Sequence, residues 1–186
     1  MRMAATRHCR RSATTVALLL ALVLAPIGRA YETPAKLNEV ARYYSLGVGE
    51  VRCASAAEWE GDGDARTYWA YANLRRDFAV LAPLICEGAL SVARTDVPAW
   101  QRAVATLVLV HEAFHLRHWR FRRNEAKVEC QAIVYFTDAA QRLGASEADA
   151  NNLYPYALAW HWRQTELLSW YRDPACRVPP WIPPAP

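Results

Sequence analysis

Apolar residues recur at helical spacing along most of the chain. After Thr33-Pro34, a capping residue with proline at the first helical position, Leu37, Val40, Ala41 and Tyr44 fall three and four apart. This predicts a first helix to about Leu46, ended by Gly47 and Gly49. Val48, Val51 and Cys53 alternate with small or polar residues, the period of a short strand. Ser55-Ala56-Ala57-Glu58 has the form of a capping box before a helical turn carrying Trp59. Residues 68–74 fit neither period. Phe78 to Leu81 is an apolar run ending at Pro83, a second strand, and a helical turn through Cys86 to Val92 follows.

Thr95-Asp96-Val97-Pro98 opens the longest unbroken pattern, since nothing stops a helix from Pro98 to about Trp119. Trp100, Val104, Leu107, His111, Phe114, His115 and His118 recur at three- and four-residue steps. Leu107 to Val110 make this helix apolar nearly all round, so it belongs in the centre of the domain. Asn124 caps a second helix through Val128, Ala132, Ile133, Phe136, Ala140 and Leu143, stopped by Gly144. Ser146-Glu147-Ala148-Asp149 starts a third, which Pro155 must break or kink and which continues through Trp162 and Leu167 to about Tyr171. The tail over 177–186 is proline-rich and extended, either covering the body through Trp181 and Ile182 or hanging free. The pattern predicts one mainly α domain over 31–186, α+β with a minor β element.

Composition changes the picture at the start of the chain. Among 186 residues, 53% are hydrophobic and 22% charged, a globular balance, and eight Trp and nine Tyr against seven Gly favour packed helices. Residues 1–30 differ. Arg2, Arg7, Arg10 and Arg11 precede the apolar run Val16 to Ala25, and Gly28-Arg29-Ala30 offers small residues at a cleavage site. This is the form of a secretory signal, with the mature chain secreted, periplasmic or at the cell surface. The run is short for a bilayer, so membrane contact is expected only through an uncleaved signal. Ser12-Ala13-Thr14 fit a twin-arginine signal poorly, which favours the general export route.

Those thirty residues hold five arginines and no acid. Without them 22 basic residues become 17 against 18 acidic, a net charge near −1. The whole-chain charge of +4 therefore gives no support for nucleic-acid binding. Cys9 leaves with the signal, and Cys53, Cys86, Cys130 and Cys176 remain. Four cysteines in an exported chain predict two disulfides, with all three pairings open. No CxxC pair suggests cysteine ligation of a metal.

The chemistry is concentrated in His111-Glu112-Ala113-Phe114-His115 and Asn124-Glu125-Ala126-Lys127-Val128-Glu129. Histidines at i and i+4 place two imidazoles on one helix face within reach of one ion, and Glu112 stands beside it as a general base. Nine residues separate His115 from Glu125, enough to reverse the chain and bring a second helix alongside. Glu125 and Glu129 share a face of that helix. One can be the third ligand while the other accepts a hydrogen bond from a ligand imidazole, and spacing leaves the choice open. The alternative is a buried His–Glu cluster with no metal, whose uncompensated burial would cost several kcal/mol. Arg117, Arg120, Arg122 and Arg123 read as charge complementing a helix C-terminus rather than as a site for an acidic partner. Asp138 is out of step with the Glu125–Glu129 face. The acidic loop Gly61-Asp62-Gly63-Asp64 lacks the calcium-loop pattern.

HEAFH followed by NEAKVE resembles the gluzincin metallopeptidases, including thermolysin-like enzymes, which pair HExxH with a downstream Glu in an NExxxD-like motif. The resemblance covers residues 111–129, with Glu129 in place of the usual Asp. It is also similar to small exported bacterial proteins carrying HEAxH and NEAxxEC. The resemblance implies Zn²⁺ held by His111, His115 and Glu125, Glu112 as general base, and Glu129 as the acid behind a ligand histidine. It implies a Tyr or His that stabilises the oxyanion, for which Tyr154, Tyr156, His161 and Tyr171 are candidates. The implied activity is an exported metallopeptidase that attacks a peptide or protein substrate with zinc-activated water. A non-catalytic zinc-stabilised interaction protein, or a hydrolase of another amide such as a cell-wall peptide, are the alternatives. The metzincin pattern fails, because it needs Gly and His where the chain has His118 and Phe121. The inverted motif HxxEH is absent.

Overall fold

The structure, a computed structural model, describes residues 33–61, 69–117 and 123–178. These belong to one compact unit, Tyr31–Pro186. The signal-like segment, the acidic loop beyond Gly61, His118 to Arg122 and the tail from Pro179 lie outside the described residues.

Seven α-helices and three short strands are present among the described residues. Helix α1, Ala35–Ser45, closes through left-handed steps at Leu46 (φ 60°) and Gly47 (φ 84°). Gly49 is glycine for a second reason besides its positive φ: a Cβ there would stand 2.6 Å from Leu116 Cδ1. Strand β1, Glu50–Cys53, and helix α2, Ala56–Gly61, follow. The capping box forms, with Ser55 N–H donating to Glu58 Oε2 (2.8 Å) and Glu58 N–H to Ser55 Oγ (3.3 Å). The segment that matched no period contains β2, Ala70–Asn73. Strand β3, Phe78–Leu81, is central in the order β1-β3-β2, parallel to β1 and antiparallel to β2. All four of its residues are buried, which is why it reads as an unbroken apolar run.

Helix α3, Pro83–Leu90, begins on its proline. Helix α4, Ala99–Arg117, is the centre of the domain. Fifteen of its nineteen residues are buried, and it packs against α1, α3, α5 and α7. Gly88 sets the approach of α3, since a Cβ there would meet Ala105 Cβ at 2.7 Å and Gln101 O at 2.9 Å.

Two details differ from the sequence pattern. The helix expected from Asn124 to Leu143 is divided into α5, Glu125–Val134, and α6, Phe136–Arg142. The bend is local to Tyr135 (φ −96°, ψ 7°), because Tyr135 N–H still bonds Gln131 O and Ala139 N–H bonds Tyr135 O, both at 3.0 Å. There Tyr135 packs its ring against Tyr44 and Phe114 (5.9 and 5.8 Å) while Phe136 turns into the core. Pro155 does not break the last helix: α7 runs through it, Glu147–Leu167. The carbonyl that loses its donor belongs to Asn151, which is exposed and open to water. A 3₁₀ turn, Ser169–Tyr171, ends the body. Asp138, discounted above, is held by the Tyr44 hydroxyl (2.5 Å) and Arg142 (2.9 Å), away from the histidines.

Of the three possible pairings, Cys53–Cys86 and Cys130–Cys176 form. The first ties β1 to α3 and the second ties α5 to the segment after the 3₁₀ turn. Two disulfides point to an oxidising compartment. No helix among the described residues is long and apolar enough to cross a membrane.

Candidate metal centre

The site is made by the meeting of α4 and α5. Helix α4 carries His111 and His115 one turn apart, both buried. Asn124 starts α5 by accepting a hydrogen bond from Lys127 N–H (3.0 Å), which makes Glu125 its first residue and places Glu129 one turn further in.

His111 Nε2 and His115 Nε2 are 3.0 Å apart, and Glu125 Oε2 is 3.2 Å from each. Among the described residues these three could hold a metal ion. The other oxygen-bearing candidate lies behind them. Glu129 Oε2 accepts from His111 Nδ1–H at 2.9 Å, and Glu129 Oε1 accepts from His161 Nδ1–H at 3.1 Å. A donor at His111 Nδ1 leaves the Nε2 lone pair for the ion side. Spacing alone left Glu125 and Glu129 interchangeable; here Glu125 joins the imidazoles at Nε2 and Glu129 braces from Nδ1. His115 Nδ1 is buried with no hydrogen-bond partner among the described residues.

Charge is balanced within this cluster. Burial opposes a charged His111, but the Glu125 and Glu129 carboxylates outweigh it and push the imidazole up to about 10. Burial also opposes ionisation of Glu125 and Glu129. Bonds from His111 and His115 nonetheless hold Glu125 far below the usual range, and bonds from His111 and His161 hold Glu129 at about 2. Without an ion, a proton on His111 thus sits where the three ligand atoms converge. Glu112 is different: burial raises its carboxyl, and the histidine charges only partly offset this.

His111 and Glu125 open on a cleft of about 490 Å³. Glu112 lines it on the α4 side, with Trp69, Trp160, Gln164, Leu168 and Trp170 opposite. Trp69 and Trp160 pack at 5.0 Å between ring centroids. Of the four aromatic candidates, Tyr171 is at the site, its ring stacked on His111 at 5.8 Å and its side chain lining the cleft with Glu125. Burial first, then the nearby carboxylates, push its phenol well above the ordinary value. His161 is close by but is engaged with Glu129. Tyr154 is in the core against Phe136 (6.0 Å), and Tyr156 is exposed on α7. The tryptophan wall was missed from sequence: Trp69 just precedes β2, Trp160 is in α7 and Trp170 is in the 3₁₀ turn, and no short spacing joins them. No protein-family model, curated protein or solved structure matches the chain.

Proposed function

We propose that His111, His115 and Glu125 hold Zn²⁺ and that the chain is an exported zinc-dependent hydrolase, a metallopeptidase acting on peptide or protein substrates, of the kind its HExxH and NExxxE motifs resemble. The observation that carries this is the triad's spacing. Ligand atoms about 2.0–2.1 Å from one tetrahedral ion stand roughly 3.3 Å apart, and the three pairs here are 3.0, 3.2 and 3.2 Å apart. Two imidazoles and one carboxylate, with a cleft on the open side, suit zinc in a catalytic rather than a closed site.

Zinc, when bound, supplies a Lewis acid that polarises a carbonyl and acidifies water. The chain's own groups do the rest. Glu112, its carboxyl raised by burial, takes a proton from water in the cleft as the water attacks the carbonyl carbon. The same carboxyl returns that proton to the departing amine as the C–N bond breaks. Tyr171 keeps its proton and can donate a hydrogen bond to the developing oxyanion. Glu129 holds His111 in the tautomer that ligates. The signal-like residues 1–30 and the two disulfides support export.

Glu112→Gln tests the catalytic part, because it removes the base and touches no proposed ligand. The variant is expected to keep its zinc and lose chelator-sensitive cleavage of a broad peptide library. Zinc-loaded wild-type chain that cleaves nothing in such a library would refute the hydrolase reading.

A further inference from the structure

We infer that His161 is a positioning residue of the metal centre: by fixing Glu129, it sets the orientation of His111 and hence the affinity for the ion. This rests on reading His111, His115 and Glu125 as ligands.

His161 belongs to the buried stripe of α7, Ala150, Leu153, Tyr154, Ala157, His161 and Thr165. A histidine 3% exposed in the inward face of a helix needs a partner, and it has one in Glu129. The bonds run in series, from His161 Nδ1–H to Glu129 Oε1 and from His111 Nδ1–H to Glu129 Oε2. They link α7 to α5 and α5 to α4. A carboxylate held through one oxygen can pivot about its last single bond. Held through both oxygens by donors on two different helices, its plane is fixed, and so is the acceptor direction offered to His111. The arrangement is one-sided. His115 Nδ1 has no hydrogen-bond partner among the described residues, so bracing of the ligand histidines from behind passes through Glu129 alone. Removing His161 leaves Glu129 Oε1 buried without that donor and lets the carboxylate turn away from His111.

A purely structural role would also put His161 here, as a clamp between helices. Metal affinity separates the two. The probe is Zn²⁺ alone, titrated into the chelator-stripped full chain by competition with a chromophoric chelator, with folding checked by circular dichroism. Loss of a group behind a ligand histidine weakens a metal site roughly 10–100-fold, and that is the loss expected for His161→Ala. His161→Asn puts an amide N–H where Nδ1 was and restores most of the affinity. His161→Gln places its amide nearer the Nε2 position and does not. If His161→Ala does not fold, the comparison of Asn with Gln carries the test. Wild-type affinity in His161→Ala, or equal affinity in the Asn and Gln variants, would overturn the inference and leave the ligand assignment standing. A wild-type chain that binds no Zn²⁺ would overturn both, and would show it before any variant is made.

Discussion

Glu125 and Glu129 should exchange rank between two assays. Glu125 Oε2 stands 3.2 Å from Nε2 of both His111 and His115, and its side chain is 35% exposed. Glu129 is buried and accepts from Nδ1 of His111 and Nδ1 of His161. Structural zinc sites bind with about 10–16 kcal/mol shared among four ligands, so one ligand is worth roughly 3 kcal/mol, on the order of 100-fold or more in affinity. A group behind a ligand is worth roughly 10–100-fold. Glu125→Ala should therefore weaken zinc binding more than Glu129→Ala. In the zinc-free protein the order reverses. Removing Glu129 leaves two buried imidazole donors without their acceptor, at about 1–3 kcal/mol each, while the half-open Glu125 contributes under about 1 kcal/mol. Chelator competition gives the first ranking and urea unfolding of stripped protein the second. If Glu129→Ala lost more affinity than Glu125→Ala, Glu129 would be the ligand and the assignment would be wrong. The same rank in both assays would refute the division of roles.

Three further outcomes follow from the fold and charges. Replacing Cys130 and Cys176 together opens a 46-residue span and should cost about 4 kcal/mol, read as a drop in Tm. It should also reduce turnover, because the segment that this disulfide ties to α5 directly follows the 3₁₀ turn that carries Tyr171. Gly88→Ala should destabilise: helix propensity gains up to about 1 kcal/mol, but a Cβ 2.7 Å from Ala105 and 2.9 Å from a backbone oxygen costs about 1–3 kcal/mol, so a more stable variant would refute the close α3–α4 contact. In chelated protein, Glu129 is held from 4.5 down to about 2, so its contribution is present above pH 4.5 and lost as pH falls towards 2. His111 is raised from 6.5 to about 10, so its contribution is present below 6.5 and lost as pH rises towards 10. Urea midpoints across pH should therefore peak between 4.5 and 6.5, and a maximum near pH 9 would contradict the His111–Glu129 pairing.

Much of this was legible because it is local. The four-residue step between His111 and His115, the cap at Asn124 and the box at Ser55 each act within one turn of helix, and the periodicity of 98–119 placed α4 in the core. What was not legible depends on distant chain segments. Whether Glu125 or Glu129 meets the imidazoles depends on how α5 docks on α4. The partner of His161 is 32 residues away, and the pattern through Trp162 and Leu167 traced the face of α7 that is exposed rather than the Ala157–His161–Thr165 face that is buried. The tryptophan wall and both disulfide pairings have no local signature. The break expected at Pro155 did not form: proline removes one bond and crowds the carbonyl four residues back, but here that carbonyl belongs to the exposed Asn151 and the rest of α7 continues.

The central claim, a metal held by His111, His115 and Glu125, is tested most directly by elemental analysis of the chain purified without chelators, beside its His115→Ala variant. A three-ligand site predicts close to one zinc per wild-type chain and little in the variant. Less than about half an equivalent in the wild type, or equal zinc in both proteins, would contradict it.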